Sequence, residues 1–179
     1  MHTFETERLL MRPLRIDDQV FYCACYTDPL LMQHIGEPLT QEAALRSFTA
    51  AMKVRLATPT RRYTWAMQEK ATGVTVGLLA MFCDKAEPDP VTAELGTIML
   101  SQFQNRGFTS EALRKLADTA FSSTPLKALL VKHKSQNSAV TGVMAKLGYI
   151  ADASFPDDGA SCQWVLRRNH WQTACAMTD

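Results

Sequence analysis

Residues 93–113 read AELGTIMLSQFQNRGFTSEAL and combine a strand, a short turn and the start of a helix. The β-prone run 93–100 predicts the strand, and a turn around 104–107 leads into a helix that begins near Thr109. The first N–H groups of such a helix have no partner within it, and the positive end of the helix dipole lies beside them. This arrangement predicts a site for an anion such as phosphate. An ordinary strand-to-helix turn is the alternative, because the chain has neither a P-loop nor a G-x-G-x-x-G motif.

The sequence around this stretch predicts an α/β fold with one mixed sheet. Apolar alternation and β-prone runs indicate six strands, at 8–14, 63–68, 74–82, 93–100, 126–132 and 163–167. Apolar residues at helical spacing indicate four helices, at 20–26, 40–56, 109–124 and 139–147. The order β-α-α-β-β-β-α-β-α-β has too few alternating units for a doubly wound nucleotide-binding fold. Neither a repeat nor a Gly/Ser linker interrupts the chain, so we expect a single domain over residues 1–179.

Composition and charge argue against several classes of protein. With 46% hydrophobic residues the chain can bury a core, which argues against a disordered or fibrous protein. A formal net charge of +1 gives no overall attraction to nucleic acid or to an anionic membrane, and we expect neither as a partner. No apolar stretch approaches the roughly 18 residues of a membrane-spanning helix, and the first residues do not resemble a signal peptide. We therefore expect a cytoplasmic protein.

The cysteines favour reduced thiols over a disulfide framework. They are odd in number and scattered along the chain, at Cys23, Cys25, Cys83, Cys162 and Cys175. The close pair Cys23 and Cys25 suggests a metal, but no second Cys/His pair lies at zinc-site spacing. We therefore expect structural cysteines and no metal.

A group of basic residues leaves nucleic-acid binding open as an alternative. The group lies near the end of the second predicted helix and consists of Lys53, Arg55, Arg61 and Arg62. A solvated helix end explains these charges more simply, because binding through phosphate contacts would need a larger basic footprint.

Five segments carry a resemblance to one known family. The run QNRGFT at 104–109 resembles the Q/R-x-x-G-x-G/A pyrophosphate loop of the GNAT acetyltransferases, with Thr109 where Gly or Ala is usual. The run TERLLMRPL at 6–14 resembles the opening strand of the RimJ/RimL-like branch. The chain also resembles this branch at AELG (93–96), at Asn137 followed by KLGY (146–149), and at the closing strand, residues 166–171. The resemblance covers nearly the whole chain in the expected order.

The resemblance implies a fold and a cofactor. Two central parallel strands, here 93–100 and 126–132, would splay apart to admit acetyl-coenzyme A. The amides from 105 to 109 would hold the pyrophosphate, with Arg106 adding a charged contact, and Asn137 would bind the coenzyme arm or act only as a turn or cap residue. The complete set of expected coenzyme-binding residues is Ile98, Met99, Gln104, Asn105, Arg106, Gly107, Phe108, Thr109 and Asn137.

The resemblance also implies transfer of an acetyl group to a primary amine, of a protein N-terminus or a small molecule. Such an amine has a pKa of about 10 and is charged at pH 7, so a base must accept its proton. Glu94 matches the position of the family's frequent general base, although an outward-facing strand carboxylate is the alternative. An oxyanion would be stabilised by a backbone N–H near Ile98 and Met99.

The sequence departs from the family where the leaving thiolate is protonated. Val140 and Met144 occupy positions where relatives carry a Ser or a Tyr, and neither side chain donates a proton. Thr141 and His133 are the available substitutes, and solvent is a third. A catalytically weak or inactive acyl-coenzyme A-binding module is therefore the alternative function.

The acceptor side is the least constrained by sequence. Aromatic and methionine residues of the predicted hairpin strands are candidates for its wall, although they could equally be core residues: Trp65, Met67, Met81 and Phe82. Acidic residues of the following loop would favour a cationic amine, unless they form only a solvated loop: Asp84, Glu87 and Asp89.

Overall fold

The computed structural model describes residues 3–54, 61–83, 91–156 and 159–171. Within these ranges the strands are β1 (Phe4–Glu5), β2 (Leu9–Pro13), β3 (Arg62–Glu69), β4 (Thr75–Cys83), β5 (Thr92–Met99), β6 (Ala128–Lys134), β7 (Ile150–Ala151) and β8 (Ser161–Arg167). The helices are α1 (Gln19–Thr27), α2 (Pro29–Met32), α3 (Gln41–Val54), α4 (Phe108–Ser123) and α5 (Ser138–Lys146). The mixed α/β fold expected from the sequence is confirmed.

The strands form one sheet in the order β1-β2-β3-β4-β5-β6-β8-β7. Its pairs are antiparallel except at the centre, where β5 and β6 run parallel. The parallel pairing covers only the segment from Thr92 opposite Ala128 to Leu95 opposite Val131. Beyond it, β5 still pairs with β4 as far as Met99, and β6 pairs with β8 as far as Lys134. The two central strands therefore part after Leu95, as the family resemblance implies.

Helices cover both faces of the sheet, because the central strands are apolar on both sides. On one face, Tyr22 of α1 and Phe48 of α3 pack with Ile98 of β5. On the other face, Leu116 of α4 packs with Leu95 of β5. Since side chains alternate along a strand, even-numbered residues of β5 face the α1 side and odd-numbered residues face the α4 side.

Two of the expected helix boundaries have clear local causes. The Thr40 hydroxyl accepts a hydrogen bond from the amide of Ala43 (3.2 Å), which caps α3. Gly148 follows α5 with φ of +78°, a conformation that terminates helices and suits glycine.

Three short elements were not expected from the sequence. The two-residue strands β1 and β7 are too brief to give a periodic pattern. Helix α2 begins at Asp28-Pro29, which the sequence indicated only as the end of α1. The Asp28 carboxylate accepts a hydrogen bond from Leu30 N (2.8 Å), and Pro29 takes the first helical position. The same two residues therefore end one helix and start another.

The basic residues near the second predicted helix do not share one helix end. Lys53 lies in the last turn of α3, whereas Arg62 begins β3, and Arg55 lies outside the described residues. None of the helices in the described ranges is long and apolar enough to cross a membrane. The cytoplasmic location stays a prediction.

Candidate active site

A groove of about 790 Å³ opens where β5 and β6 part. Its walls include Thr97 and Met99 on the β5 side, and Lys132 and His133 on the β6 side. It extends to the N-terminus of α4 on one face of the sheet, and to α1 and α2 on the other. The groove therefore gives two ligands access to the gap between the strands from opposite faces.

The backbone of β5 presents unpaired amides to this groove. Leu100 N donates to Val76 O (3.0 Å), so even-numbered residues of β5 direct their amides to β4. Ala128 N donates to Val91 O (3.2 Å), so odd-numbered residues face β6. Beyond Leu95 the amides of Thr97 and Met99 thus point into the groove, where an extended ligand could pair with them as a strand would.

This alternation assigns different positions to the two predicted β5 residues. Met99 directs its amide into the groove, whereas the Ile98 amide belongs to the ladder with Leu78 of β4. The Ile98 side chain lies on the α1 face, where it borders one half of the groove. This half, on the α1 face, is called the acceptor half, because the resemblance implies that the coenzyme lies on the α4 face. Thr97 was not among the predicted residues, because the direction of its backbone amide cannot be derived from the type of its side chain.

The turn before α4 exposes the helix N-terminus to the groove. Asn105 and Gly107 adopt left-handed φ values of +59° and +80°. Gly107 is the N-cap residue, and no side chain caps the helix there. The first bond of the helix joins Glu111 N to Gly107 O (3.1 Å), which leaves the amides before Glu111 without helical partners. Thr109 and Ser110 also line the groove, so these amides adjoin it.

Side chains from two other segments hold this turn in place. Gln104 Nε2 donates to Met99 O (3.0 Å), which ties the turn to the end of β5. Arg8 donates to Arg106 O (3.0 Å) and forms an ion pair with Glu111 (2.6 Å). Thr6 donates a hydrogen bond to the same carboxylate. The TER segment that begins the family resemblance therefore fixes the start of α4.

The Arg106 side chain is directed away from the groove, contrary to the charged contact expected from the sequence. Its guanidinium forms an ion pair with Glu69 (2.8 Å), a residue that is buried apart from 6% of its surface. It also lies over the ring of Phe108. The positive charge of Arg106 is therefore paired with a buried carboxylate, and only its backbone is left to take part in a site at this turn.

Asn137 caps a helix and also borders the groove. Its Oδ1 accepts a hydrogen bond from Val140 N (3.3 Å) and caps α5. The residue also lines the groove, and no described residue accepts a hydrogen bond from its Nδ2. The cap orients the side chain and leaves one donor for a ligand.

Glu94 lies on the α1 face, one residue before the strands part. It pairs with Phe82 of β4 and Leu130 of β6, and it borders the groove. Its carboxylate is 3.2 Å from Lys132 Nζ, with 42% of its side chain exposed. Glu94 is thus half exposed and ion-paired, and solvent or a ligand in the groove can reach it.

Of the two substitutes for the missing proton donor, only His133 borders the groove together with Val140 and Met144. Thr141 instead directs its hydroxyl to Asn137 O (3.4 Å). His133 is buried, with Nδ1 2.9 Å from Lys134 O, so Nδ1 carries the proton of that hydrogen bond. Its Nε2 lies 3.3 Å from Cys162 Sγ.

The acceptor half of the groove differs from the sequence-based expectation. Trp65, Met67 and Met81 are buried in the core on the α4 face, which is the alternative that the sequence left open for them. Of the four expected residues, Phe82 lines the groove. The acidic residues at 84, 87 and 89 lie outside the described residues.

Residues of α1, of α2 and of the segment that follows α2 complete this half of the groove. Tyr26, Leu30, His34 and Ile35 line it. Burial raises the pKa of Tyr26, so its hydroxyl stays protonated and neutral at ordinary pH. No motif marked these residues, because loops and short helices supply them.

Comparison with known proteins decides the family. The model of the Acetyltransferase (GNAT) domain matches residues 8–150, which is most of the chain. The chain belongs to the GNAT acetyltransferase family. A GNAT acetyltransferase domain is an acyltransferase, and the fold, the groove and the loop at 104–109 all agree with this assignment.

Individual GNAT relatives are distant in sequence and close in fold. The uncharacterized N-acetyltransferase p20 of Bacillus licheniformis is 24% identical over 151 residues, which cover 83% of both chains. The ribosomal-protein α-N-acetyltransferase RimL, solved with coenzyme A, is 12% identical with a TM-score of 0.77, over 93% of this chain and 98% of that one. The spermidine N-acetyltransferase of Vibrio cholerae, solved with coenzyme A and spermine, is 13% identical with a TM-score of 0.77, over 93% and 99%.

Proposed function

We propose that this GNAT acyltransferase transfers an acetyl group from acetyl-coenzyme A to a primary amine, and that it belongs to the RimJ/RimL-like branch. The observation that carries the proposal is the parting of β5 and β6, which leads to an uncapped helix N-terminus. The relatives RimL and spermidine N-acetyltransferase are named for amine acceptors, a protein N-terminus in one and a polyamine in the other.

The described residues fit coenzyme A along the α4 half of the groove. The amides of residues 105 to 109, with the positive end of the α4 dipole, suit the two phosphates. The amides of Thr97 and Met99 and the Asn137 Nδ2 suit the amide-containing arm. When bound, acetyl-coenzyme A supplies a thioester whose acetyl group is activated for attack by an amine.

Glu94 is proposed as the general base. The acceptor reaches the gap from the α1 face, where the half-exposed Glu94 carboxylate can take a proton from its ammonium group, directly or through water. The amide of Met99 or Thr97 would stabilise negative charge on the reacting carbonyl oxygen.

The test compares Glu94→Gln with the wild type in a thiol-release assay against peptides and small amines. We expect turnover to fall on the order of 100-fold, a typical contribution of a general base. Coenzyme affinity should change little, since Glu94 lies on the opposite face from the α4 N-terminus. Glu42→Gln, which alters an exposed glutamate of α3 away from the groove, is the matched control. Unchanged turnover in Glu94→Gln would remove Glu94 from the mechanism.

A catalytically weak acyl-coenzyme A-binding module is the second candidate. Val140 and Met144 border the groove, and neither can protonate a leaving thiolate. This candidate predicts coenzyme binding without thiol release for every amine tested. Transfer needs only a donor such as His133 or solvent, because a thiolate is a tolerable leaving group.

A further inference from the structure

A guanidinium lies beside two residues that line the acceptor half of the groove, Phe82 and Tyr26. Arg62 begins β3, and its guanidinium lies over the Phe82 ring, with Cζ 4.7 Å from the ring centroid. The Arg62 Nε is buried and has no hydrogen-bond partner. Among the carboxylates of the described ranges, none forms an ion pair with Arg62. The buried Nε has therefore lost hydration without gaining a partner among the described residues.

The position of Arg62 relates it to the reaction centre. Arg62 pairs with Phe82 and Phe82 pairs with Glu94, so one row across the sheet joins the three residues on the α1 face. At the usual strand spacing, Arg62 and Glu94 are roughly 10 Å apart between Cα atoms. Arg62 also acts on Tyr26, which lines the groove: burial raises the pKa of Tyr26, and the positive charge of Arg62 opposes that rise.

The other charges on this side of the groove are already engaged. Lys132 pairs with Glu94, and Lys134 Nζ donates to Gln33 O (2.8 Å). Glu94 is the one carboxylate among the described residues that line the groove. These residues therefore give the acceptor half an excess of positive charge, and the Arg62 guanidinium lies beside it, next to Phe82.

We propose that Arg62 binds a carboxylate of the acceptor, so that the substrate is an amine that also carries an anionic group. A guanidinium offers parallel donors that match the two oxygens of a carboxylate, and the stacked Phe82 ring fixes its plane. The amine lies near Glu94 and the carboxylate near Arg62. This inference rests on the proposed function and specifies its substrate class, which is opposite in charge to the cationic amine that an acidic loop would favour.

The test uses the full chain and a graded series of ω-amino carboxylates, each matched to an alkylamine and to a diamine of the same length. In the wild type, we expect kcat/KM for the best amino carboxylate to exceed that for its matched alkylamine at least tenfold. Arg62→Gln should lower this ratio about tenfold, which corresponds to one charge-assisted pair. Arg62→Lys, which keeps the charge and loses the paired donors, should recover part of it.

An equilibrium measurement separates failure of this inference from failure of the proposed function. Amino carboxylates are titrated calorimetrically into the coenzyme A complex of the wild type and of Arg62→Gln, with Arg46→Gln as a control on the exposed face of α3. Carboxylate-dependent binding that Arg62→Gln abolishes supports the inference even if no thiol is released. The inference is overturned if the wild type turns over diamines better than amino carboxylates. It is also overturned if Arg62→Gln lowers turnover equally for amino carboxylates and for alkylamines. The absence of amino carboxylate binding to the wild type overturns it as well.

Discussion

Gly107 is the residue at which backbone conformation and ligand approach impose the same requirement. Its φ of +80° is a left-handed value, which costs an L-residue about 1–2 kcal/mol. A Cβ atom built there would lie 3.4 Å from Arg8 Nη2, so the space is tight without being blocked. The residue stands at the N-terminus of α4, where a phosphate would approach the amides closely. Glycine therefore serves both the turn and the ligand.

Gly107→Ala should lower coenzyme A affinity about tenfold and the free energy of unfolding by about 1 kcal/mol, the low end of the left-handed cost. Gly148→Ala is the matched control, because its φ is +78° and nothing lies within 4 Å of the added atom. Both variants should lose similar stability in chemical denaturation, while calorimetry should show weaker coenzyme binding for Gly107→Ala alone. Equal affinities in the two variants would mean that the loop does not hold the phosphates.

Single residues also show the limit of sequence-based prediction at this scale. Met81 and Phe82 are neighbours in one strand, so their side chains must face opposite sides of the sheet. Sequence alone marks both as apolar and cannot say which face receives the acceptor. The register answers this, because Phe82 pairs with Glu94. The ion pair of Glu94 with Lys132 could not be predicted either, because it depends on the parallel register of β5 with β6.

At the scale of elements, the segment before β2 and helix α4 are joined by one carboxylate. Burial raises the pKa of Glu111, but hydrogen bonds from Thr6 and Arg8 and the Arg8 charge outweigh this effect, so its pKa lies below the ordinary value. The folded chain thus stabilises the ionised form of the Glu111 carboxylate relative to the unfolded chain. Its contribution to stability is present above the unfolded pKa of about 4.3 and is lost as the pH falls through the folded pKa.

Glu111→Gln should lower the free energy of unfolding by about 1 kcal/mol at pH 7, since Arg8 is half exposed and solvent weakens the pair. The difference from the wild type should shrink as the pH falls below the unfolded pKa of about 4.3 and through the lower folded pKa, because the wild-type carboxylate is then protonated. Urea denaturation at several pH values measures this. Glu5→Gln removes a more exposed ion pair with Lys70 and should cost less than about 0.5 kcal/mol. A constant difference across this pH range would show that the Glu111 charge does not stabilise the fold.

For the whole molecule, the sequence predicted the order of the longer elements and the position of the loop, because both depend on local patterns. The caps at Thr40 and Gly148 and the uncapped start of α4 follow from residue type and spacing. The extent of the groove could not be derived in this way, since it depends on where one parallel pair of strands stops pairing. The family resemblance implied that these strands part, but only the register of the structure places that point after Leu95.

The parting of the sheet makes a prediction about its amides. Ala93 and Leu95 direct their amides to paired β6 backbone, whereas Thr97 and Met99 direct theirs into the groove, and Gly96 and Ile98 pair with β4. Amide hydrogen exchange followed by NMR should therefore show Thr97 and Met99 exchanging at least about 100-fold faster than Gly96 and Ile98, because only hydrogen-bonded amides are protected from solvent.

Coenzyme A should slow exchange at Thr97 and Met99 selectively, because its arm would accept the hydrogen bonds of these two amides, which no β6 carbonyl accepts. At 100 times the dissociation constant, binding adds about 2.7 kcal/mol to the stability of the whole fold and slows globally exchanging amides as well. The informative quantity is therefore the ratio of the exchange rates of Thr97 and Met99 to that of Ala93. The Ala93 amide is paired with β6 both with and without coenzyme A. If that ratio stays constant on adding coenzyme A, or if Thr97 and Met99 are already protected without it, the arm does not lie between the two central strands.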